Sequence, residues 1–381
     1  MTMLATRWSW RLFVAVLCGG WLPLPALASA FDWTVEVTPA GELFPVLDLT
    51  QLPRSNSATP GGGSGLVAVR LHGRLPAELR LRVDTAGLVA PASVEWRATP
   101  GEVRSELDLH PHLDWDTAQL RGVDNVRTQM LKFTLTTPAG SQIREIPVRM
   151  HALDDVPYFV REGSEQVDLG WAFAGYVDPH DPVVDAVLAL AGEIDPAWNW
   201  RDAGRDSAQA LRSVAAVWRA LERHGLRYDA GDPALSRGPV VWSQRVRLAD
   251  EAWRERRANC IDGSVLIASV LERLGLAARI VLVPGHAFVG YRNADGSAEY
   301  LETTVLGLHG RLAKDNFAAA RAAGKRSWRR ASARLDGRHG PDYALIDIAR
   351  ARRVGIIPLS AQRAQTAAPA ALRSSAPPSR P

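Results

Sequence analysis

At about Ser164 the spacing of apolar residues changes from two to the roughly 3.6-residue period of an α-helix, so this chain must join a strand-built part to a helix-bearing one. Before that point, short alternating runs such as Thr34–Val37, Leu66–Leu71 and Leu79–Val83 are separated by Pro and Gly turns. Lys132–Thr136, the turn Pro138–Ser141 and the run Ile143–Val148 read as a hairpin. About seven such strands predict a β-sandwich over residues 31–162. Ser55–Gly65 is loop by composition. His110 and His112 flank Pro111 in another loop. A metal pair there lacks a third ligand, so both are read as solvated, and no metal or other cofactor is expected.

Beyond Ser164, Asp181 and Pro182 form an N-cap and first-turn pair ahead of apolar Val183, Val184, Val187, Leu188 and Leu190. Asp206 or Ser207 opens a second helix, with Leu211, Val214, Trp218 and Leu221 on one face and Gly225 as its stop. Ala249–Arg257 reads as a short third helix and Asn259–Leu274 as a fourth. Period two returns in Ala278–Val283, Ala287–Arg292 and Ala298–Thr303, the last two joined by the loop Asn293–Ser297. Tyr343–Ile348 and Val354–Leu359 are strand-like. The predicted architecture is therefore α+β: a β-sandwich at 31–162, a second α+β domain at 163–358, and an Ala-, Pro- and Ser-rich tail at 359–381 expected to be disordered.

The 381 residues, 46% hydrophobic and 23% charged, suit two domains and exclude a miniprotein or a wholly disordered chain. The formal charge is only +4, with cations that are nearly all Arg, and nucleic-acid binding gains no support. Within Arg311–Arg353, 12 Lys or Arg stand against 4 Asp or Glu, whereas 31–310 is net acidic. This stretch reads as a solvated helix, Leu312–Gly324, with Arg-rich surface; the functional alternative is a patch for an anionic partner.

Arg7 and Arg11 precede the apolar run Leu12–Leu22, and Ala28-Ser29-Ala30 supplies small residues for cleavage, so 1–30 is read as an export signal and the protein as periplasmic or secreted. The run falls short of the roughly 20 residues that span a bilayer, and no membrane span is expected. Leu17 before Cys18 is too large for a lipoprotein cleavage site. Of the 2 Cys, only Cys260 would survive cleavage, which excludes a disulfide within the chain. That thiol pairs between chains, is buried and inert, or is used chemically.

Its surroundings favour chemistry. Asn259-Cys260-Ile261-Asp262 reads as a helix start, with Ile261, Val265, Ala268, Leu271 and Leu274 as the buried stripe and Gly275 as the stop. Cys260 then occupies the first turn, where unpaired N–H groups and the macrodipole favour an anion. Asp262 is explained by a capping box without catalysis. His286 follows Pro284-Gly285 at a strand start, and the hairpin register expected from a loop centred near Asp295 puts it opposite Thr303, one residue from Glu302. A helix-start Cys, a strand His and a carboxylate on the next strand fit the nucleophile, base and orienting-group arrangement.

The segments Asn259–Leu276, Val281–Gly290 and Tyr300–Thr304 resemble bacterial transglutaminase-like proteins, whose superfamily shares a papain-like Cys-His-Asp arrangement and includes peptidases, amide-forming enzymes and inactive members. The resemblance spans about 150 residues, Val241–Leu359 most clearly, and implies Cys260 as nucleophile, His286 as base and Glu302 as third residue. The usual third residue is Asp, and the Gly often found two before the Cys is Ala258. In the family an upstream side chain joins the Cys N–H in the oxyanion hole; Gln244 or Trp242 would match, with Gln244 preferred, Trp242 read as core and a surface amide as the alternative for Gln244. Trp198 and Trp200 are candidates for a peptide groove or for packing. The implied function is an exported thiol-dependent amide hydrolase, peptidase or acyltransferase working through a thioester on a peptide or protein substrate, with cell-wall peptide as one candidate. The alternative is a catalytically inactive module that binds peptide or glycan. A metalloenzyme is disfavoured, since neither His-Glu-x-x-His nor a second Cys beyond the signal is present.

Overall fold

Alternation of apolar and polar side chains builds the first part of the molecule. The computed structural model describes residues 31–360 apart from 52–60, 62, 64, 86, 102–103, 232–234, 309–315 and 338. The proposed export signal, the tail beyond Ser360 and Leu312 thus lie outside the described residues. Phe31–Val37, Val67–Gly73 and Glu106–Leu109 form a three-stranded antiparallel sheet. A five-stranded sheet runs in the order Glu42–Leu43, Gly140–Met150, Arg127–Thr137, Glu78–Asp84 and Ala92–Arg97. The expected hairpin closes with Thr137 opposite Gly140. Leu79, Leu81 and Val83 are buried while Arg80 and Arg82 between them are exposed, as a one-faced strand requires. Buried Trp33 joins the two sheets, its Nε1–H donating to Gln142 Oε1 at 2.7 Å. Two short helices, α1 (Pro45–Leu49) and α2 (Thr117–Leu120), interrupt the strands.

Asp155–Glu162 alternates like the strands before it but pairs with Val241–Arg245, in a four-stranded sheet completed by Glu165–Asp168 and Leu235–Arg237. Periodicity identifies a strand; the sheet it joins depends on a partner far away in sequence.

Helix signals are obeyed in the second part. In α3 (Pro182–Ile194) Asp181 accepts the Val183 N–H, and in α4 (Ser207–His224) Asp206 accepts those of Ala208 and Gln209. Gly225, at φ 91°, ends α4. α5 (Ala249–Glu255) and α6 (Cys260–Arg273) follow. The last sheet runs Ala298–Leu301, His286–Arg292, Ala277–Val283 and Ala344–Asp347. Its Ile280, Leu282, Ala287 and Val289 join Val265 and Ala268 of α6 in the main core. Val281, Phe288 and Tyr300 instead cluster with Ala331 and Trp328 of α7 (Asn316–Ala331). One helix therefore covers each face, which explains the continuous apolar run Ile280–Val283.

Two expectations are corrected. α7 does not stop at Gly324 but continues to Ala331. Gly324 is buried where the helix meets the sheet, and a Cβ there would overlap the Tyr300 carbonyl, so this glycine serves close approach and not termination. Val354–Leu359 is no strand: Asp347 accepts the Arg350 N–H and starts α8 (Ile348–Arg353), after which only Ile356 bridges to Gln51. Gly324→Ala is expected to cost about 1–3 kcal/mol in urea denaturation, because backbone cannot yield as a flexible side chain does. No helix among the described residues is long and apolar enough to cross a membrane.

Candidate active site

Three elements bring the titratable groups together. Cys260 is the first residue of α6, whose Asn259 cap accepts the N–H groups of Ile261 and Asp262, and the Cys260 N–H stands outside that cap. Asp262 completes the capping box by accepting the Asn259 N–H at 3.0 Å. It also accepts the Arg247 backbone N–H at 2.9 Å and the Arg247 Nη1–H at 3.0 Å. Burial raises the Asp262 carboxyl pKa, and these three donors pull it back. This carboxylate therefore fastens the start of α6, where Cys260 stands, to the segment before α5. Asp262→Ala would take from Arg247 its close carboxylate, leaving Glu255 at 3.7 Å, and would remove the box, with an expected loss of about 2–4 kcal/mol by chemical denaturation.

His286 begins its strand after the turn Pro284-Gly285, with Gly285 at φ 71° and Val283 paired to His286, the pattern of a type II turn. The following hairpin pairs Val289 with Leu301, one residue away from the expected register, and the ladder ends there. Glu302 leaves the sheet, its N–H donating to Ala320 O of α7 at 3.1 Å. Its Oε1 lies 2.8 Å from His286 Nε2. Thr303, expected opposite His286, instead donates its hydroxyl to Cys260 O at 3.2 Å.

Burial disfavours a charged His286, but hydrogen bonds to Cys260 and Glu302 and the charges of both outweigh it, pushing the imidazole up to about 10. With Nε2 directed at Glu302, Nδ1 remains for the thiol. Glu302 is nearly buried, His286 is about a quarter exposed, and Cys260 is partly exposed, so a reagent can reach the sulfur while the carboxylate stays shielded.

Gln244 is buried and lines a small cavity with Tyr158, Phe173, Leu282, Gly285, His286 and Asp342. Its burial overturns the reading of Gln244 as a surface amide. Trp242 is half-buried, 5.0 Å from Phe159 and 4.9 Å from the Arg237 guanidinium. Trp198 is buried and donates to Ser213 at 2.9 Å. Trp200 stacks 5.6 Å from Arg273, the last residue of α6 and about 20 Å along that helix from Cys260. Trp198 packs against α4, and Trp200 belongs to the far end of α6.

Two contributors carried no sequence signal. Ser327 of α7 donates to Glu302 Oε2 at 3.2 Å, so a residue inside the Arg-rich stretch holds the third group of the constellation. Tyr228, on a strand parallel to Arg257–Ala258, stands close enough that burial and the charges of Cys260 and Glu302 raise its phenol. Neither residue lies near Cys260, His286 or Glu302 in sequence, so only the fold brings them together.

No family model and no curated protein matches the chain.

Proposed function

We propose that this protein is an exported thiol-dependent amide hydrolase, peptidase or acyltransferase with a β-sandwich ahead of a transglutaminase-like, papain-like domain. The observation that carries this reading is the 2.8 Å contact of His286 Nε2 with Glu302 beside a thiol at a helix start, with carboxylate and thiol together raising the imidazole. The Cys260 thiolate attacks the amide carbonyl carbon, a C–S bond forms, and the carbonyl electron pair moves to oxygen. The Cys260 N–H and the Gln244 amide are the donors for that oxyanion. His286 then gives its proton to the departing nitrogen as the C–N bond breaks, leaving a thioester and a free amine. Water or an acceptor amine loses a proton to His286, attacks the thioester and releases the thiolate. Glu302 accepts from Nε2–H throughout and keeps the ring oriented.

The exported location rests on the pattern of residues 1–30, and the substrate class, a peptide or protein with cell-wall peptide among the candidates, rests on the resemblance. The test is stoichiometric labelling by a peptidyl vinyl sulfone at neutral pH. Labelling confined to Cys260, lost in His286→Ala and competed by peptide amides supports the enzyme. Labelling no faster than that of a free thiol, and unaffected by His286→Ala, would favour the inactive binding module.

A further inference from the structure

α7 has a second face with no role in the site. Lys325, Arg326, Arg329 and Arg330 are exposed, and none has an acidic partner among the described residues. Many arginines elsewhere are paired with carboxylates, among them Arg80 with Glu95, Arg212 with Asp195, Arg237 with Asp342, and Arg321 of this same helix with Glu299; what sets the stripe apart is four cations on one helix face with no acid between them. Residues three and four apart are neighbours on a helix surface, so Lys325 repels Arg329, and Arg326 repels both Arg329 and Arg330. The helix contains no Asp or Glu to relieve them. The macrodipole accounts for Arg329 and Arg330 in the last turn but not for Lys325 and Arg326 a turn earlier.

We infer that this stripe is a docking surface for a flexible phosphate-bearing polymer. Three guanidinium forks and an ammonium within about two turns match a run of phosphate oxygens, which several guanidinium groups can share. The other exposed residues of the helix are Ala318 and Ala322. The face thus offers no large apolar side chain to enter a bilayer and no aromatic ring on which a base could stack. Charge alone is the recognition element, and it is independent of the thiol chemistry.

The test uses the full chain and fluorescently labelled long-chain inorganic polyphosphate. Binding should weaken with salt at a slope near −3 in log K against log salt, about −0.7 for each of four phosphates. Lys325→Gln/Arg326→Gln/Arg329→Gln/Arg330→Gln should bind at least about tenfold more weakly with a flattened slope, while Arg80→Gln/Arg127→Gln/Arg149→Gln binds like the wild type. Cys260→Ala should bind unchanged, which separates this surface from the active-site reading. Arg326→Glu alone, with an unaltered melting curve, gives the same answer if the fourfold variant folds poorly. Equal binding by the stripe variants, equal loss in the control, tighter binding to phosphatidylglycerol vesicles than to polyphosphate, or self-association abolished by the stripe changes would each overturn the proposal.

Discussion

Glu302→Gln is expected to lower turnover by about three to four orders of magnitude, a loss far larger than its effect on the fraction of folded protein. The amide keeps the size of the side chain and can still accept from Nε2–H, but it no longer stabilises an imidazolium. Ser327 and the Ala320 carbonyl hold this position from α7, so the variant retains its packing. Glu302→Asp should keep partial activity only if the backbone yields by under about an ångström, the scale on which catalytic geometry is sensitive. Unchanged activity of the Gln variant toward a substrate that Cys260→Ala fails to process would remove Glu302 from the mechanism. Asp262 could not easily replace it, because both its oxygens serve the helix cap and Arg247.

The second large effect concerns the charge of the pair. At pH 7, His286→Ala should slow alkylation of Cys260 about tenfold or more, since the imidazole no longer assists the attack. Wild-type protein should also favour anionic iodoacetate over neutral iodoacetamide more than a free thiol does, because the imidazolium attracts the carboxylate. With the His286 pKa raised from 6.5 to about 10, that preference is present at neutral pH and disappears as pH rises through about 10. The sign is the same for stability: the pair contributes fully below about 6.5, the unfolded value, and the contribution is lost as pH rises through the folded one. A reagent preference that is flat across this range, or identical in His286→Ala, would refute the ion pair.

Local rules in the sequence determined much of what positions the thiol. Asn259 and Asp262 announce a capped helix start, Asp181-Pro182 and Asp206 announce two more, and Pro284-Gly285 announces the turn before His286. Each depends on residues within a few positions of one another, which is why they are legible without a structure. What depends on distant partners was decided only in three dimensions. The strand Asp155–Glu162 took a partner over 80 residues away, and Gly324, which reads as a helix stop, became a close contact because the Tyr300 carbonyl approaches it. Glu302 reaches His286 although the ladder ends at Leu301, because α7 draws the chain out of the sheet and fixes both the Glu302 backbone and its second oxygen. Sequence supplies the residue types and the local geometry of each element. The hairpin register already brings Glu302 near His286, but bringing Cys260 to them comes from packing α6 against one face of the sheet while α7 covers the other, a contact no local pattern encodes.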